Sequence, residues 1–110
     1  MLTCLESVRF PFFTGPLAYM LDRLEALPEE LVITSAIDSE HVRNSAHYLG
    51  RALDIRVHDL NARAEQLARG DRILAALGDK FEVTLEEPGA NRFTTGAHLH
   101  VQLLPAASWP

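Results

Sequence analysis

The stretch Arg51-Ala52-Leu53-Asp54-Ile55-Arg56-Val57 alternates without a break. Leu53, Ile55 and Val57 leave one side of an extended chain; Ala52, Asp54 and Arg56 leave the other. A period of two predicts a strand with a core face and an opposite face that carries a carboxylate. Ala97-His98-Leu99-His100-Val101-Gln102-Leu103 repeats the pattern. Leu99, Val101 and Leu103 turn inward, and His98, His100 and Gln102 turn outward. At i and i+2, His98 and His100 share a face, ~7 Å apart at the backbone. Phe81, Val83 and Leu85 alternate with Glu82 and Thr84 as a third strand. The turn-rich segment Glu86 to Gly96 then predicts an antiparallel hairpin with a long loop.

Further out, Leu31-Val32-Ile33-Thr34-Ser35 is a short β-branched run and reads as a buried strand. Thr14-Gly15-Pro16 starts a helix with proline at its first position, and Pro28 stops it. Leu17, Met20, Leu21, Leu24 and Leu27 form its apolar stripe. A second helix follows Val57, capped by Asp59 or Asn61 and ended by Gly78. Its stripe reads Leu60, Ala64 and Leu67, then Ile73, Leu74 and Leu77, with Gly70 as a kink or break. Ala36 to Ala46 is a polar loop, Phe10, Phe12 and Phe13 cover one end of the core, and the tail from Pro105 to Pro110 is expected to fray. The order helix, strand, strand, helix, strand, strand predicts an α+β fold. Its sheet is mainly antiparallel, of about four strands, with helices on one face. The other face would carry Asp54, His98 and His100.

The chain has 110 residues, which fits a single domain over 1–110, and 47% are hydrophobic, enough for a core. A formal net charge of -5 argues against nucleic acid. Cys4 is the one cysteine, so any metal must be held by His, Asp or Glu. No apolar run reaches the ~18 residues of a membrane span. The first residues lack the basic segment and cleavage site of a signal peptide, so synthesis in the cytoplasm is expected.

Ser45-Ala46-His47-Tyr48-Leu49-Gly50-Arg51-Ala52-Leu53-Asp54 brings a third imidazole close to Asp54. Gly50 allows a sharp turn between the two, and small Ala52 leaves room beside the carboxylate. Three nitrogen and oxygen ligands with a position left for water suit a divalent transition metal. A lone strand histidine is usually a surface residue; two at i and i+2, with a His and an Asp nearby, raise the reading of a metal site. On these residues alone His98 is either a base or a fourth ligand, and a fourth ligand would close the site. A two-His-one-carboxylate iron site is disfavoured, because Asp54 lies seven residues after His47.

Ser45-x-His47-x-x-Gly50-x-Ala52-x-Asp54, followed by His98-x-His100, resembles the zinc-peptidase group of D-alanyl-D-alanine carboxypeptidases, lysostaphin-type endopeptidases and the hedgehog signalling domain. The likeness runs from about Ile33 to Val101. It implies that fold, with Zn2+ held by His47, Asp54 and His100 and His98 as base or transition-state stabiliser. Members that use a glutamate place it three residues before the final histidine; Ala97 stands there, so the His-x-His variant fits. The implied activity is hydrolysis of an amide bond in peptidoglycan stem or cross-bridge peptides that contain D-amino acids. A bound zinc polarises the scissile carbonyl and activates water, and His98 would take the proton.

Members often carry an arginine soon after the strand that ends in Thr34-Ser35; Asp38 follows here. Arg43 or Arg51 is the nearby substitute for that second positive donor. His41, Tyr48, Ser45 and Arg43 are candidates for substrate or supporting contacts, with a solvated loop as the blander reading of His41. Glu86 and Glu87 are read as a charged loop edge rather than an alternative base. The rival expectation is a peptide-binding module of the same fold that keeps zinc for structure and does not cut. A monomeric, phage-encoded enzyme released at lysis would need no signal peptide.

Overall fold

The computed structural model describes residues 1–8, 10, 14–36, 50–89, 96–105 and 107–109. Among these, the chain runs β1 (Leu2–Cys4), α1 (Gly15–Glu25), β2 (Leu31–Ser35), β3 (Ala52–Arg56), α2 (Arg63–Leu77), β4 (Phe81–Glu86) and β5 (His98–Leu103). The strands form one sheet in the order β1-β2-β3-β5-β4. β1 runs parallel to β2, and every other neighbouring pair is antiparallel. The protein is therefore α+β as expected, but its sheet is mixed and five-stranded rather than about four-stranded. The additional strand is β1. Three residues are too few to show an alternation, and β1 is held instead by backbone pairing, with Leu31 N donating to Met1 O (2.8 Å) and Leu5 N to Ile33 O (3.0 Å).

Leu31, Ile33, Leu53, Ile55, Val57, Phe81, Leu99, Val101 and Leu103 bury themselves with Leu17, Met20 and Leu24 of α1 and Ile73 and Leu77 of α2. Each fully buried leucine or isoleucine contributes ~1.5–3 kcal/mol of transfer free energy. Thr14 starts α1 as expected: its Oγ1 accepts from Leu17 N at 3.2 Å. The same hydroxyl donates to Gly50 O at 2.5 Å, tying the helix start to the turn before β3. Gly50 has φ 67°, the left-handed conformation that the sharp turn requires.

Three local expectations are corrected. α2 is not broken at Gly70, and its buried side is Arg69, Gly70, Ile73 and Leu77, while Leu67 and Leu74 are exposed. Neither Asp59 nor Asn61 caps it; the N-cap is Ala62, without a side-chain hydrogen bond. Asp59 is engaged instead by Arg69, which donates to both its oxygens at 2.8 and 3.0 Å. The tail is packed where it is described: the Trp109 ring lies 5.1 Å from Tyr19 and 6.0 Å from Phe81. Among the described residues, no helix is long and apolar enough to cross a membrane.

Candidate metal centre

β3 is the middle strand of the five, and β5 lies beside it. Their register sets Asp54 opposite His100 and Arg56 opposite His98. β4 on the far side sets Glu86 opposite His98 and Thr84 opposite His100. Side chains alternate across a sheet, so Asp54, Arg56, Glu86, His98, His100 and Gln102 all leave the face away from the helices. This face is not open: Ala52 is fully buried and Asp54 is 7% exposed.

Asp54 Oδ1 is the meeting point. His100 Nδ1 lies 3.2 Å from it and His98 Nε2 3.6 Å. Glu86 Oε1 lies 2.9 Å from His98 Nε2. The other nitrogen of each ring is committed as a donor. His98 Nδ1–H donates to Gly96 O (3.1 Å), and His100 Nε2–H to Gln102 Oε1 (2.6 Å). A backbone carbonyl can only accept, so the Gly96 contact fixes the neutral tautomer of His98, while the Gln102 amide, whose two ends can exchange, orients His100. What is left to face the carboxylates is His98 Nε2 and His100 Nδ1. Protonated, they make ion pairs; deprotonated, they present lone pairs. Metal-binding histidines are typically oriented in this way, by a carbonyl or carboxylate on the distal nitrogen.

The donors also fit an ion by spacing. Ligand atoms of Asp54, Glu86 and His98 all lie within 4.8 Å of one another, close enough to hold a metal ion. Ligands ~2.0–2.1 Å from a tetrahedral ion stand about 3.3 Å apart, and within that set the contacts of 2.9 Å (Glu86–His98) and 3.6 Å (Asp54–His98) bracket that value. Imidazole and carboxylate together suit zinc and its first-row neighbours.

Electrostatics agrees with a paired cluster. Burial pulls the imidazolium of His98 down, but the Glu86 hydrogen bond, the Asp54 charge and the Gly96 carbonyl raise it above the ordinary value. Burial likewise opposes His100, and its bonds to Asp54 and Gln102 raise it. Glu86 is held below the usual carboxylate range by its bond to His98, against the cost of burial.

Of the expected site residues, Asp54, His98 and His100 are therefore brought together. His47, His41, Arg43, Ser45, Tyr48 and Asp38 lie outside the described residues. Arg51 is turned elsewhere, with Nη2 donating to Leu104 O at 3.1 Å. Glu86 is a strand residue of the cluster, not a loop edge. Its signal was the series Glu82, Thr84, Glu86, one step past the point where turn residues begin. Gln102 was placed on the right face, but its role as the carbonyl that orients His100 needs the fold to be seen. The chain matches no protein-family model, and comparison with curated proteins and with solved structures likewise finds no match.

Proposed function

We propose that the protein is a zinc-dependent hydrolase of an amide bond in peptidoglycan peptides that contain D-amino acids. The observation that carries this reading is the convergence of His98 Nε2 and His100 Nδ1 on Asp54 Oδ1, with each distal nitrogen already spent on a carbonyl. The Ser45-to-Asp54 and His98-x-His100 motifs supply the substrate class by resemblance. By resemblance Asp54 and His100, with His47 from the first motif, would hold the ion, whereas spacing alone groups Asp54 with Glu86 and His98. Zinc bound there would polarise the scissile carbonyl and lower the pKa of a bound water to ~7. His98 Nε2 would take the proton of that water, and Glu86, 2.9 Å from the same nitrogen, would hold the imidazolium formed. Partial burial of all four groups strengthens each of these interactions.

A second reading is a zinc-bearing peptide-binding module that does not cut. It is favoured by Asp38 where members of the resembled group often carry arginine, and by Arg51 being spent on Leu104 O. Incubating zinc-loaded protein with purified peptidoglycan separates the two. New free amines, lost in His98→Ala with zinc retained, support hydrolysis with His98 as base. Loss of zinc in that variant makes His98 a ligand. Retention of peptidoglycan without new amines leaves the binding module.

A further inference from the structure

Two ligand sets meet on this face, and they share a single residue. The resemblance selects His47, Asp54 and His100. Spacing in the folded chain selects Asp54, Glu86 and His98, whose ligand atoms lie within 4.8 Å of one another. The second set draws one residue from each of three neighbouring strands, β3, β4 and β5. His98 stands directly opposite Glu86, and Asp54 lies diagonally across from it, opposite His100. His98 Nε2 is 2.9 Å from Glu86 Oε1 and 3.6 Å from Asp54 Oδ1. One ring nitrogen therefore faces two carboxylates, and a cation placed among the three satisfies them all.

The chemistry of the three groups fits a divalent ion. Two carboxylates and a neutral imidazole balance its charge, and the mixture of nitrogen and oxygen donors suits zinc better than magnesium. His98 Nδ1–H is held by Gly96 O, which keeps the Nε2 lone pair aimed at the carboxylates. All three ligands stand on strands, which hold a site more precisely than loops do. A carboxylate has two oxygens and about four lone-pair sites, so Asp54 can bind in both sets at once. Sites of this kind place two ions ~3.5–4 Å apart. Repulsion between two divalent ions at that spacing makes the second the weaker.

We propose that Asp54, Glu86 and His98 form a second, weaker zinc site, and that filling it shuts the protein off. A metal ion and a proton compete for the same nitrogen lone pair. With an ion on Nε2, His98 has nothing left to accept a proton with, and Glu86 is drawn from the ring to the ion. Zinc is then required at low concentration and inhibitory at high concentration. The inhibition rests on the hydrolase reading above; the site itself rests on the three side chains alone.

The test is calorimetric titration of the chelator-treated protein with zinc chloride, followed by amine release from purified peptidoglycan at each occupancy. Wild type should bind two zinc ions per chain, the second at least ~10-fold more weakly. Glu86→Gln and His98→Ala should each bind one, with the tighter site within ~10-fold of wild type. Asp54→Asn should weaken both sites. A urea midpoint for each variant checks folding, and His98→Ala carries the test if Glu86→Gln does not fold. One zinc ion per chain in wild type, a second ion that survives in both folded variants, or loss of all zinc from either overturns the proposal. Amine release by wild type should fall at least ~10-fold as the second site fills, since it loses its base. Undiminished release with both ions bound overturns the inhibition. Two ions without amine release at either occupancy keep the site and remove the hydrolase. Amine release by a chain that binds a single ion leaves the hydrolase and removes the second site.

Discussion

Asp54 Oδ1 touches both imidazoles, whereas Glu86 touches one. The two carboxylates also differ in burial, with side chains 9% and 28% exposed. Removing their charge while keeping their shape should therefore give unequal effects. Asp54→Asn is expected to lower zinc affinity by at least ~100-fold, beyond the range for supporting groups, and Glu86→Gln by ~10-fold, within it. Competition with a chromophoric chelator reads both. Wild-type affinity in Asp54→Asn would place the metal elsewhere in the chain. Asp54, His98 and His100 were legible because each sits in an unbroken period of two, which names the face without naming the partner. Glu86 was not, because its place opposite His98 follows from the β4–β5 register, and a pairing across a long loop leaves no mark in the local pattern.

At the scale of elements, β3, β4 and β5 were readable for the same reason, and α1 through its cap and stripe. α2 was misread because leucine was taken as the sign of burial. Gly70 faces the sheet, where a Cβ would stand 3.2 Å from Leu99 Cδ2 and 3.4 Å from Val83 Cγ1. The helix lies close to β4 and β5 because that position has no side chain, so the buried side runs through the residue that looked like a break. Leu99 stands between His98 and His100, so pressure on it is pressure on the cluster. Gly70→Val is expected to cost ~1–3 kcal/mol by overpacking and to weaken zinc binding as well. Leu67→Ala, at a position of the same helix that is 40% exposed, should stay within ~0.5 kcal/mol and leave zinc binding alone. Urea denaturation and zinc titration of the pair check this; equal effects would mean that α2 does not position β5.

For the whole molecule, the fold sets Asp54 against a histidine 46 residues away, and the charges so gathered make stability depend on pH. His98 and His100 titrate above the ordinary 6.5 in the folded chain. Their contribution is fully present below 6.5 and is lost as pH rises through the folded values. Glu86 titrates below the ordinary 4.5, so its contribution is present above 4.5 and is lost as pH falls through its folded value. Chelator-treated protein should accordingly gain most from this cluster between pH 4.5 and 6.5. Zinc asks for the opposite protonation state: it takes the nitrogen lone pairs that protons occupy, so its binding strengthens as pH rises. At a free concentration ~1,000 times Kd it adds ~4 kcal/mol, on the order of 15 °C in Tm for a chain of this size. Scanning calorimetry should therefore show a smaller zinc-induced rise near pH 5.5 than near pH 8, because protons compete for the same nitrogens at the lower pH. Asp54→Asn should flatten both trends, since one carboxylate serves protons and metal alike. A zinc-induced rise of the same size at both pH values would mean that the ion binds away from His98 and His100.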